Sequence, residues 1–514
     1  MAQARFLAGG TEPLASFALT FRRLPFAGGF AVCAGLGEAL AFLASWHFDA
    51  EDCAYLATLN AADGSPLFDE RFLAHLSEAR FTGDVEAIAE GRVVFAGEPL
   101  LRVTGPVSLC QMVETPLLNL VNFSTLIATK AARCVIAADG DRVLEFGMRR
   151  AQGPNGALMA SRAAFIGGVD ATSNTFAGRT YGIPVAGTHA HSWIMSYPSE
   201  LEAFRAYVET SPSNAILLVD TYDTIGGVKH AIEVAGEMEA RGQRLRGIRI
   251  DSGDLAWLSQ QARALLDEAG LGYVEIVASN SLDEYTISSL KEQGARIDVW
   301  GVGTAMVTGG EQSALDGVYK MTAIQDIDGS WQPRMKLSDQ IAKATLPGIH
   351  GVRRFYDAVG FMIGDMVYGI EDAAYRVAEV SRTYVSPTDE SDESHCAKPW
   401  RPLNLCATLS ASSNASWSEM VDPVDVTRRK RFAADTPCEE LLQPVMRAGA
   451  IVDAAAVGDE ALEAARERLR ADLTRLDNSH KRFLRPHTYP VGIEESLNDA
   501  RIALVRTLRD EERA

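Results

Sequence analysis

The sequence predicts an α/β protein whose central part is a parallel sheet or barrel. From about residue 116 onward, short apolar runs stop at polar or glycine turns and are followed by helical periodicity, which is the βα alternation of such a sheet. Residues 1–115 instead mix extended runs with helical patterns, and the alternation fades beyond about residue 345. We therefore divide the chain into three parts, at 1–115, 116–345 and 346–514.

Length and composition agree with a globular protein of several domains. The 514 residues are 47% apolar and 23% charged, and this length corresponds to about three domains. The 49 basic and 68 acidic side chains give a net charge of −19. Nucleic acid is excluded as a partner, because binding to a phosphate backbone depends on basic surface.

Cysteine usage and the N-terminus indicate a cytoplasmic protein. The seven cysteines are sparse and form no CxxC pair, so a reducing compartment fits best. The first ten residues lack the pattern of a signal peptide, and the apolar run at 31–46 is interrupted by Glu38, so we predict no membrane association. A zinc module on His395, Cys396 and Cys406 is an alternative that is one ligand short of a closed structural site.

Four predicted strands end in residues suited to chemistry. These ends lie near Asp220, Asp251, Asn280 and Gly303, and each spacing fits one strand, one helix and two loops. The carboxyl ends of parallel strands carry the site in βα folds. We therefore expect these residues to lie at one edge of the sheet.

The RIDSGD stretch at 249–254 is the richest of these strand ends. Alternation along a strand places Arg249 and Asp251 on one face. Together with Ser252 and Gly253 they can bind an anion, polyol hydroxyls and, through a carboxylate, a hydrated Mg²⁺. The alternative is that Asp251 or Ser252 only caps the next helix.

A phosphate site is predicted at the last of the four strand ends. The small residues of GVGT at 301–304 allow the backbone amides of Gly303 and Thr304 to approach a phosphate. Ser279 and Asn280, at the end of the preceding strand, can add donors. Glycine turns after strands are common, so this signal is weak by itself.

Arginine and histidine pairs precede these strands. Arg149 and Arg150 stand before a Gly/Pro turn, where guanidinium groups can bind carboxylate or phosphate, although a surface ion pair is equally simple. His189 and His191 are two residues apart and would face the same side of an extended segment. The sequence allows three roles for this pair: ligands of a metal, histidines without a chemical role, or a catalytic base or nucleophile.

Taken together, the motifs resemble those of the nicotinate phosphoribosyltransferase family. Eight motifs occur in the expected order: FSTLIATKAAR (123–133), EFGMRRAQGP (145–154), PVAGTHAHSW (184–193), LLVDTYDT (217–224), RIDSGD, ASNSLDE (278–284), GVGT and GVYK (317–320). FRRLPF (21–26) and RPHTYPV (485–491) extend the likeness over nearly the whole chain.

The resemblance implies an irregular α/β barrel packed on an α/β sandwich domain, and the amphipathic pattern at 459–476 adds a helical C-terminal extension. It further implies a homodimeric enzyme of NAD salvage. The enzyme transfers a phosphoribosyl group and is classified as a ligase because the transfer is coupled to ATP. Such an enzyme forms nicotinate mononucleotide and pyrophosphate from nicotinate and phosphoribosyl pyrophosphate, coupled to hydrolysis of ATP, and it uses Mg²⁺.

Site residues follow from the same resemblance, position by position. His191 matches the histidine that ATP phosphorylates, whereas His189 falls where the family varies. The other matches are Phe146 stacked on the pyridine ring, Arg149 beside the substrate, Arg249 and Asp251 near base and ribose, and Gly303 and Thr304 around the 5′-phosphate. Asp220 is a further candidate acid because it lies at the end of its predicted strand.

Two alternatives and one departure accompany this assignment. A nicotinamide-using relative shares the architecture, and a catalytically silent nucleotide-binding barrel is a second alternative. The family usually begins with a Leu-Tyr-Gln segment whose tyrosine packs on the pyridine ring from the neighbouring subunit. Since Met1 falls after that segment, we expect either an earlier start of translation or an incomplete ring sandwich.

Overall fold

The computed structural model describes residues 1–9, 12–337, 345–370, 417–453, 456 and 458–511. The described strands form one parallel sheet of six strands, a seven-stranded sheet, a six-stranded mixed sheet and a small two-stranded sheet. The predicted mixed α/β class is confirmed.

The N-terminal part contributes short helices and strands. These elements are α1 (Ala2–Ala8), β1 (Leu14–Phe21), β2 (Ala31–Val32), α2 (Leu36–Ser45), α3 (Ala50–Ala57), α4 (Glu70–Glu78), β3 (Asp84–Ile88), β4 (Val93–Val94), β5 (Pro99–Pro106) and α5 (Val107–Met112).

The central part alternates strands with helices, as its periodicity predicts. Its elements are α6 (Glu114–Ala138), β6 (Arg142–Glu145), α7 (Gly153–Ile166), β7 (Ala171–Thr172), α8 (Thr175–Tyr181), α9 (His191–Met195), α10 (Glu200–Thr210), β8 (Ile216–Leu218), α11 (Thr224–Glu239), β9 (Gly247–Ile250), α12 (Leu255–Glu268), β10 (Glu275–Ser279), α13 (Glu284–Glu292), β11 (Val299–Val302) and α14 (Thr304–Thr308).

The C-terminal part is mostly β-structure before two long helices. Its elements are β12 (Gly317–Gln325), β13 (Trp331–Pro333), β14 (His350–Tyr356), β15 (Met362–Gly369), β16 (Trp417–Val421), β17 (Arg429–Ala433), β18 (Cys438–Glu440), β19 (Leu442–Arg447), β20 (Ala450–Ile451), α15 (Asp459–Arg475), β21 (Val491–Glu494) and α16 (Glu495–Glu511). The amphipathic helix predicted at 459–476 is α15. The polar stretch at 385–398, predicted as a loop, lies outside the described residues.

The parallel sheet has the strand order β7-β6-β11-β10-β9-β8, so the last strand of the alternation pairs with the first. Between β7 and β8, the described residues form no continuous ladder. The segment at 184–189 lies there instead, since Thr172 bridges to Val185 and the amide of Leu218 donates to His189 Nε2 (3.2 Å). Closure of this sheet into a barrel stays a prediction.

The seven-stranded sheet joins distant parts of the chain, in the order β13-β12-β1-β5-β3-β19-β20. Strand β12, which follows the parallel sheet along the chain, pairs antiparallel with β1, and β19 pairs antiparallel with β3. The limits at 115 and 345 follow changes in the sequence pattern. The seven-stranded sheet contains strands from all three of the ranges that these limits define.

Helix α6 connects the seven-stranded sheet to the parallel sheet. Its 25 residues are long and apolar enough to cross a membrane, but 72% of the most apolar window is buried inside the protein. The helix packs against α7, α13 and strand β12, among others. Its apolar length is therefore accounted for by packing within the protein.

Candidate functional site

Parallel pairing brings the predicted strand ends to one edge of the sheet. Strand β9 pairs in parallel with β8 and β10, and β10 pairs in parallel with β11. The residues that follow these strands therefore meet at the carboxyl edge, as expected. The structure brings together side chains of Arg249, Asp251, Asp220, Ser252, Ser279 and His191.

Arg249 is held by three hydrogen-bond acceptors within the chain. Its Nε donates to Ser279 Oγ (2.8 Å), Nη1 to Thr188 Oγ1 (2.9 Å) and Nη2 to Asp251 Oδ1 (2.9 Å). The guanidinium carbon also lies 5.6 Å from the centre of the Phe146 ring. With 14% of its side chain exposed, Arg249 presents a fixed positive charge to the site.

Asp251 is kept ionised by its neighbours. Burial acts to raise the pKa of this carboxyl, but the hydrogen bond from Ser279 and the charge of Arg249 outweigh burial and hold the pKa below its usual value. Its Oδ2 lies 3.7 Å from Nε2 of His191. Arg249 and Asp251 thus share one face, as alternation along the strand predicts.

Asp220 lies beneath this pair with its side chain fully buried. Its Oδ2 accepts hydrogen bonds from the amide of Asp251 (2.9 Å) and from Ser252 Oγ (2.6 Å). Its Oδ1 has no hydrogen-bond partner among the described residues and lies 4.0 Å from His191 Nε2. Asp220 therefore fixes the turn after β9 and leaves one oxygen directed at the histidine.

His191 is the first residue of α9 and its side chain is 40% exposed. Its Nδ1 lies 3.1 Å from Thr221 Oγ1, which leaves Nε2 facing the carboxylates of Asp220 and Asp251. One ring nitrogen is thus engaged by a hydroxyl, and the other is open toward the site.

His189 has a different environment, so the two histidines do not form a matched pair. The segment leaves the extended conformation at α9, and His189 is buried against Tyr207, with ring centres 4.7 Å apart. Burial lowers the pKa of His189 to about 4, and the nearby charges of Arg249 and His191 act in the same direction. A neutral His189 accepts a hydrogen bond from the Leu218 amide and lies in the interval between β7 and β8.

The stretch after β6 carries the Phe146 ring and Arg149. The amide of Phe146 donates to the carbonyl of Val302 (2.8 Å), which ties this stretch to β11. Arg149 lies in a short 3-10 helix, Met148–Arg150, where it is exposed and pairs with no acid in the described part of the chain. Its guanidinium is therefore available to an anionic ligand.

The loops after β10 and β11 adopt unusual backbone conformations. Asn280 and Ser281 have φ values of 98° and 51°, a region that side chains other than glycine rarely occupy, and such strain clusters at functional sites. Thr304 begins α14 and is exposed, whereas a Cβ on Gly303 would lie 3.2 Å from the carbonyl oxygen of Phe146. A side chain at position 303 would therefore press on the Phe146 backbone, besides any effect on contact with phosphate.

Helix caps account for the remaining acidic residues near the site. Asp254, not Asp251 or Ser252, caps α12 by accepting the amide of Trp257 (3.0 Å). Gly253 has a φ of 80°, which explains the glycine before this cap. No group of three or more potential metal ligands occurs among the described residues, and the proposed zinc ligands His395, Cys396 and Cys406 lie outside them.

Sequence reasoning missed three residues that organise the site. Thr188 holds Arg249, and Thr221 holds His191. Glu145 is fully buried and accepts hydrogen bonds from the Gly147 amide, from Ser161 Oγ (2.9 Å) and from Thr172 Oγ1 (2.5 Å). Glu145 thereby fixes the start of the Phe146 loop. In the sequence, the only feature that could have pointed to Glu145 is its position directly before Phe146.

The fold and this cluster define an α/β enzyme with its site at the carboxyl edge of a parallel sheet. Three models of the nicotinate phosphoribosyltransferase family match the chain, the N-terminal domain over residues 1–122, the family region over 142–376 and the C-terminal domain over 408–501. The chain belongs to the nicotinate phosphoribosyltransferase family.

Individual relatives agree with this assignment. Nicotinate phosphoribosyltransferase of Bacillus subtilis is 47% identical over 358 residues, which cover 69% of this chain and 71% of the relative. The crystal structure of human nicotinic acid phosphoribosyltransferase matches with a TM-score of 0.77 and 30% identity, covering 99% of this chain and 98% of that one. A nicotinate-nucleotide pyrophosphorylase from Pyrococcus furiosus, at 20% identity, shares the fold with a TM-score of 0.63 and 92% of each chain covered.

Proposed function

We propose that this protein forms nicotinate mononucleotide and pyrophosphate from nicotinate and phosphoribosyl pyrophosphate, as a step of NAD salvage coupled to ATP hydrolysis. The observation that carries the proposal is the cluster of Arg249, Asp251, Asp220 and His191 at the carboxyl edge of the sheet. Family membership supports the same reaction.

In the proposed transfer, the pyridine nitrogen forms a bond to ribose C1 while the bond from C1 to pyrophosphate breaks. Phe146 offers an aromatic ring for contact with the pyridine ring, and the fixed charge of Arg249 lies 5.6 Å from the centre of the Phe146 ring. Ionised Asp251 accepts a hydrogen bond from a ribose hydroxyl. Holding base and sugar in this geometry supplies most of what a displacement without a covalent enzyme intermediate requires.

We propose that His191 takes the γ-phosphoryl group of ATP on Nε2. That nitrogen is directed into the site, whereas Nδ1 is engaged by Thr221. The bond from the γ-phosphorus to the bridging oxygen breaks and ADP leaves. Water later takes the phosphoryl group from the histidine, which completes hydrolysis of ATP.

The donor set fits Mg²⁺ carried by the phosphate substrates. Two carboxylates near His191 Nε2 would repel a phosphoryl group, and Asp220 Oδ1 is a buried oxygen without a partner among the described residues. Mg²⁺ usually binds one or two carboxylates together with substrate phosphates, and it would offset the charge of the leaving pyrophosphate. Asp220 and Asp251 are the residues that would hold it.

We further propose a homodimer in which a second copy covers the site face. Large apolar side chains on the segments around the carboxyl edge are exposed: Met148 (45%), Phe176 (51%), Met195 (67%), Tyr222 (67%) and Trp257 (51%). Apolar side chains in this number around a site are typical of an interface. The buried thiols of Cys33, Cys110 and Cys134 and the negative charge support a cytoplasmic enzyme.

The test is product formation by the purified protein. With nicotinate, phosphoribosyl pyrophosphate, Mg²⁺ and ATP we expect nicotinate mononucleotide, pyrophosphate and ADP. Replacing nicotinate by nicotinamide should give much less product. If nicotinamide is the better substrate, the protein is the nicotinamide-using relative; if a folded dimer turns over neither base, it is a silent binding protein.

A further inference from the structure

A buried charge cluster on the outer side of the site connects three segments of the chain. Lys130 and Arg133 of α6 both contact Glu284, the first residue of α13. Lys130 Nζ lies 2.9 Å from each carboxylate oxygen, and Arg133 Nε lies 2.7 Å from Oε1. All three side chains are at most 6% exposed, so the contacts are shielded from water.

The first segment attached to this cluster is the strained turn after β10. Glu284 follows Asn280 and Ser281 by a few residues, and these two have positive φ values. Ser279, directly before the turn, bonds both Arg249 and Asp251. A strained turn persists only where its surroundings determine it, and the ion pair at Glu284 anchors its far end.

The second segment is the loop after α14. A Cβ on Gly310 would lie 3.7 Å from Lys130 Nζ, so the backbone of this loop lies beside the ammonium group. The same helix begins at Thr304, in the proposed 5′-phosphate loop. Lys130 therefore holds Glu284 after the turn that follows β10 and lies beside the far end of the helix that begins at the proposed 5′-phosphate loop.

The third segment is the turn at Pro25–Ala27. Phe26 has a φ of 58°, unusual for an aromatic residue, and its ring centre lies 4.1 Å from Lys130 Nζ. Its amide donates to Gln312 Oε1 (2.7 Å), which ties this turn to the loop after α14. The ring of Phe483, from the C-terminal part, lies 5.0 Å from the Arg133 guanidinium.

We propose that Lys130 and Arg133 act through Glu284 as positioning residues for the binding of phosphoribosyl pyrophosphate. This inference rests on the proposed function. Within the described part of the chain, the side chains of the cluster form no hydrogen bond or ion pair with Phe146 or Arg249 on the proposed base side of the site, and their link to Arg249 passes through the turn that follows Ser279. Loss of the cluster should therefore weaken recognition of phosphoribosyl pyrophosphate more than recognition of nicotinate.

The test compares Lys130→Met with a matched variant at the other end of the same helix pair. Lys291, near the end of α13, contacts Asp141 Oδ2 (2.8 Å) and the carbonyl of Ala138, and it also ties α13 to the region of α6. Lys291→Met removes an ion pair at the other end of α13, where 29% of the Lys291 side chain is exposed. Both variants are assayed as the full chain, with thermal unfolding recorded for each.

We expect Lys130→Met to raise KM for phosphoribosyl pyrophosphate by about tenfold or more, since small displacements of binding loops have effects of this size. KM for nicotinate should rise by less than about twofold, because Arg249 keeps its hydrogen bonds to Thr188 and Asp251 when the turn after Ser279 shifts. Lys130→Arg should restore the wild-type value, and Lys291→Met should leave both constants unchanged. Calorimetric binding of phosphoribosyl pyrophosphate should weaken in parallel.

Three results would overturn the inference. These are an unchanged KM for phosphoribosyl pyrophosphate, an equal rise in both KM values, or the same rise in Lys291→Met. If Lys130→Met does not fold, Glu284→Gln is assayed with the same criteria. Failure of the proposed function is a separate outcome, since wild-type protein would then form no nicotinate mononucleotide at all.

Discussion

At the scale of residues, the two arginines of the site differ in how their donors are used. Arg249 is bonded to Thr188, Ser279 and Asp251, whereas Arg149 is exposed and forms no ion pair within the described chain. Arg249 therefore supplies a fixed charge close to Phe146, and Arg149 is free to move onto a ligand. This difference separates their expected roles.

Selectivity for nicotinate over nicotinamide should depend on these charges. A hydrogen bond to an ionised group contributes roughly 1.5 to 3 kcal/mol, so Arg249→Gln should reduce discrimination by about one to two powers of ten. Arg149→Gln should have the smaller effect on selectivity. The measurement is kcat/KM for both bases, with Arg150→Gln as the control, and the charge-pairing account is wrong if neither substitution narrows the gap.

His189 should make the fold sensitive to acid. Burial lowers its pKa to about 4, below the value of about 6.5 in the unfolded chain. Between these two values the unfolded state binds the proton and the folded state does not, so stability is fully present above pH 6.5 and falls toward pH 4 by about 3 kcal/mol.

His189→Gln keeps an acceptor for the Leu218 amide and should remove this part of the pH dependence. Denaturant unfolding at several pH values between 4 and 7 measures it. His350 is also buried with a pKa of about 4, so the variant should retain some loss of stability in acid. Identical pH profiles for wild type and His189→Gln would contradict the assignment.

At the scale of elements, β11 approaches the Phe146 loop closely, and we expect this packing to shape the proposed base side of the site. A Cβ on Gly301 would lie 2.7 Å from the Phe146 ring, so alanine there must displace the ring. Gly301→Ala should raise KM for nicotinate by about tenfold with little change for ATP.

A substitution at Gly303 affects both the proposed phosphate contact and the packing of the Phe146 loop, because a Cβ at this position would press on the Phe146 carbonyl. We predict that Gly303→Val raises the requirement for phosphoribosyl pyrophosphate more than that for ATP and also raises KM for nicotinate. Initial rates with each substrate varied in turn measure all three. An unchanged KM for nicotinate in both glycine variants would contradict the role of this packing.

Periodicity and turn residues in the sequence predicted those helices and strand ends that depend on neighbouring residues in the chain. Helices α12 and α15 and the carboxyl ends of β8 to β11 follow from periodicity and turn residues. The pairing of β1 with β12 could not be predicted, because antiparallel partners so far apart leave no signal in either segment. The same holds for Glu145, whose partners Ser161 and Thr172 belong to other elements.

At the scale of the whole molecule, one buried arginine joins three parts of the chain. Arg354 of β14 is fully buried, and its Nη2 lies 2.6 Å from Asp365 Oδ2 and donates to the carbonyl of Val93 (2.8 Å). Its Nη1 lies 3.4 Å from Asp472 of α15. This contact ties the third sheet to the N-terminal part and to the long C-terminal helix.

Arg354→Met should lower the free energy of unfolding by about 3 to 5 kcal/mol, because it leaves the buried carboxylate of Asp365 with a hydrogen bond from Tyr489 but without its ion-pair partner. Arg429→Met should change it little, because the ion pair that it removes with Glu495 is exposed and Glu419 keeps its contact with Arg431. Denaturant unfolding compares the two variants. Equal effects would show that burial of the Arg354 cluster does not determine stability.

We propose that His191 carries the phosphoryl group while ATP is hydrolysed. Mass spectrometric mapping of the peptide that contains His189 and His191, after a brief reaction with ATP and Mg²⁺ and digestion without acid, tests it most directly. We expect phosphate on His191, none on His189 and none in His191→Ala. Phosphate on His189, or an unmodified peptide from protein that hydrolyses ATP while forming nicotinate mononucleotide, would contradict it.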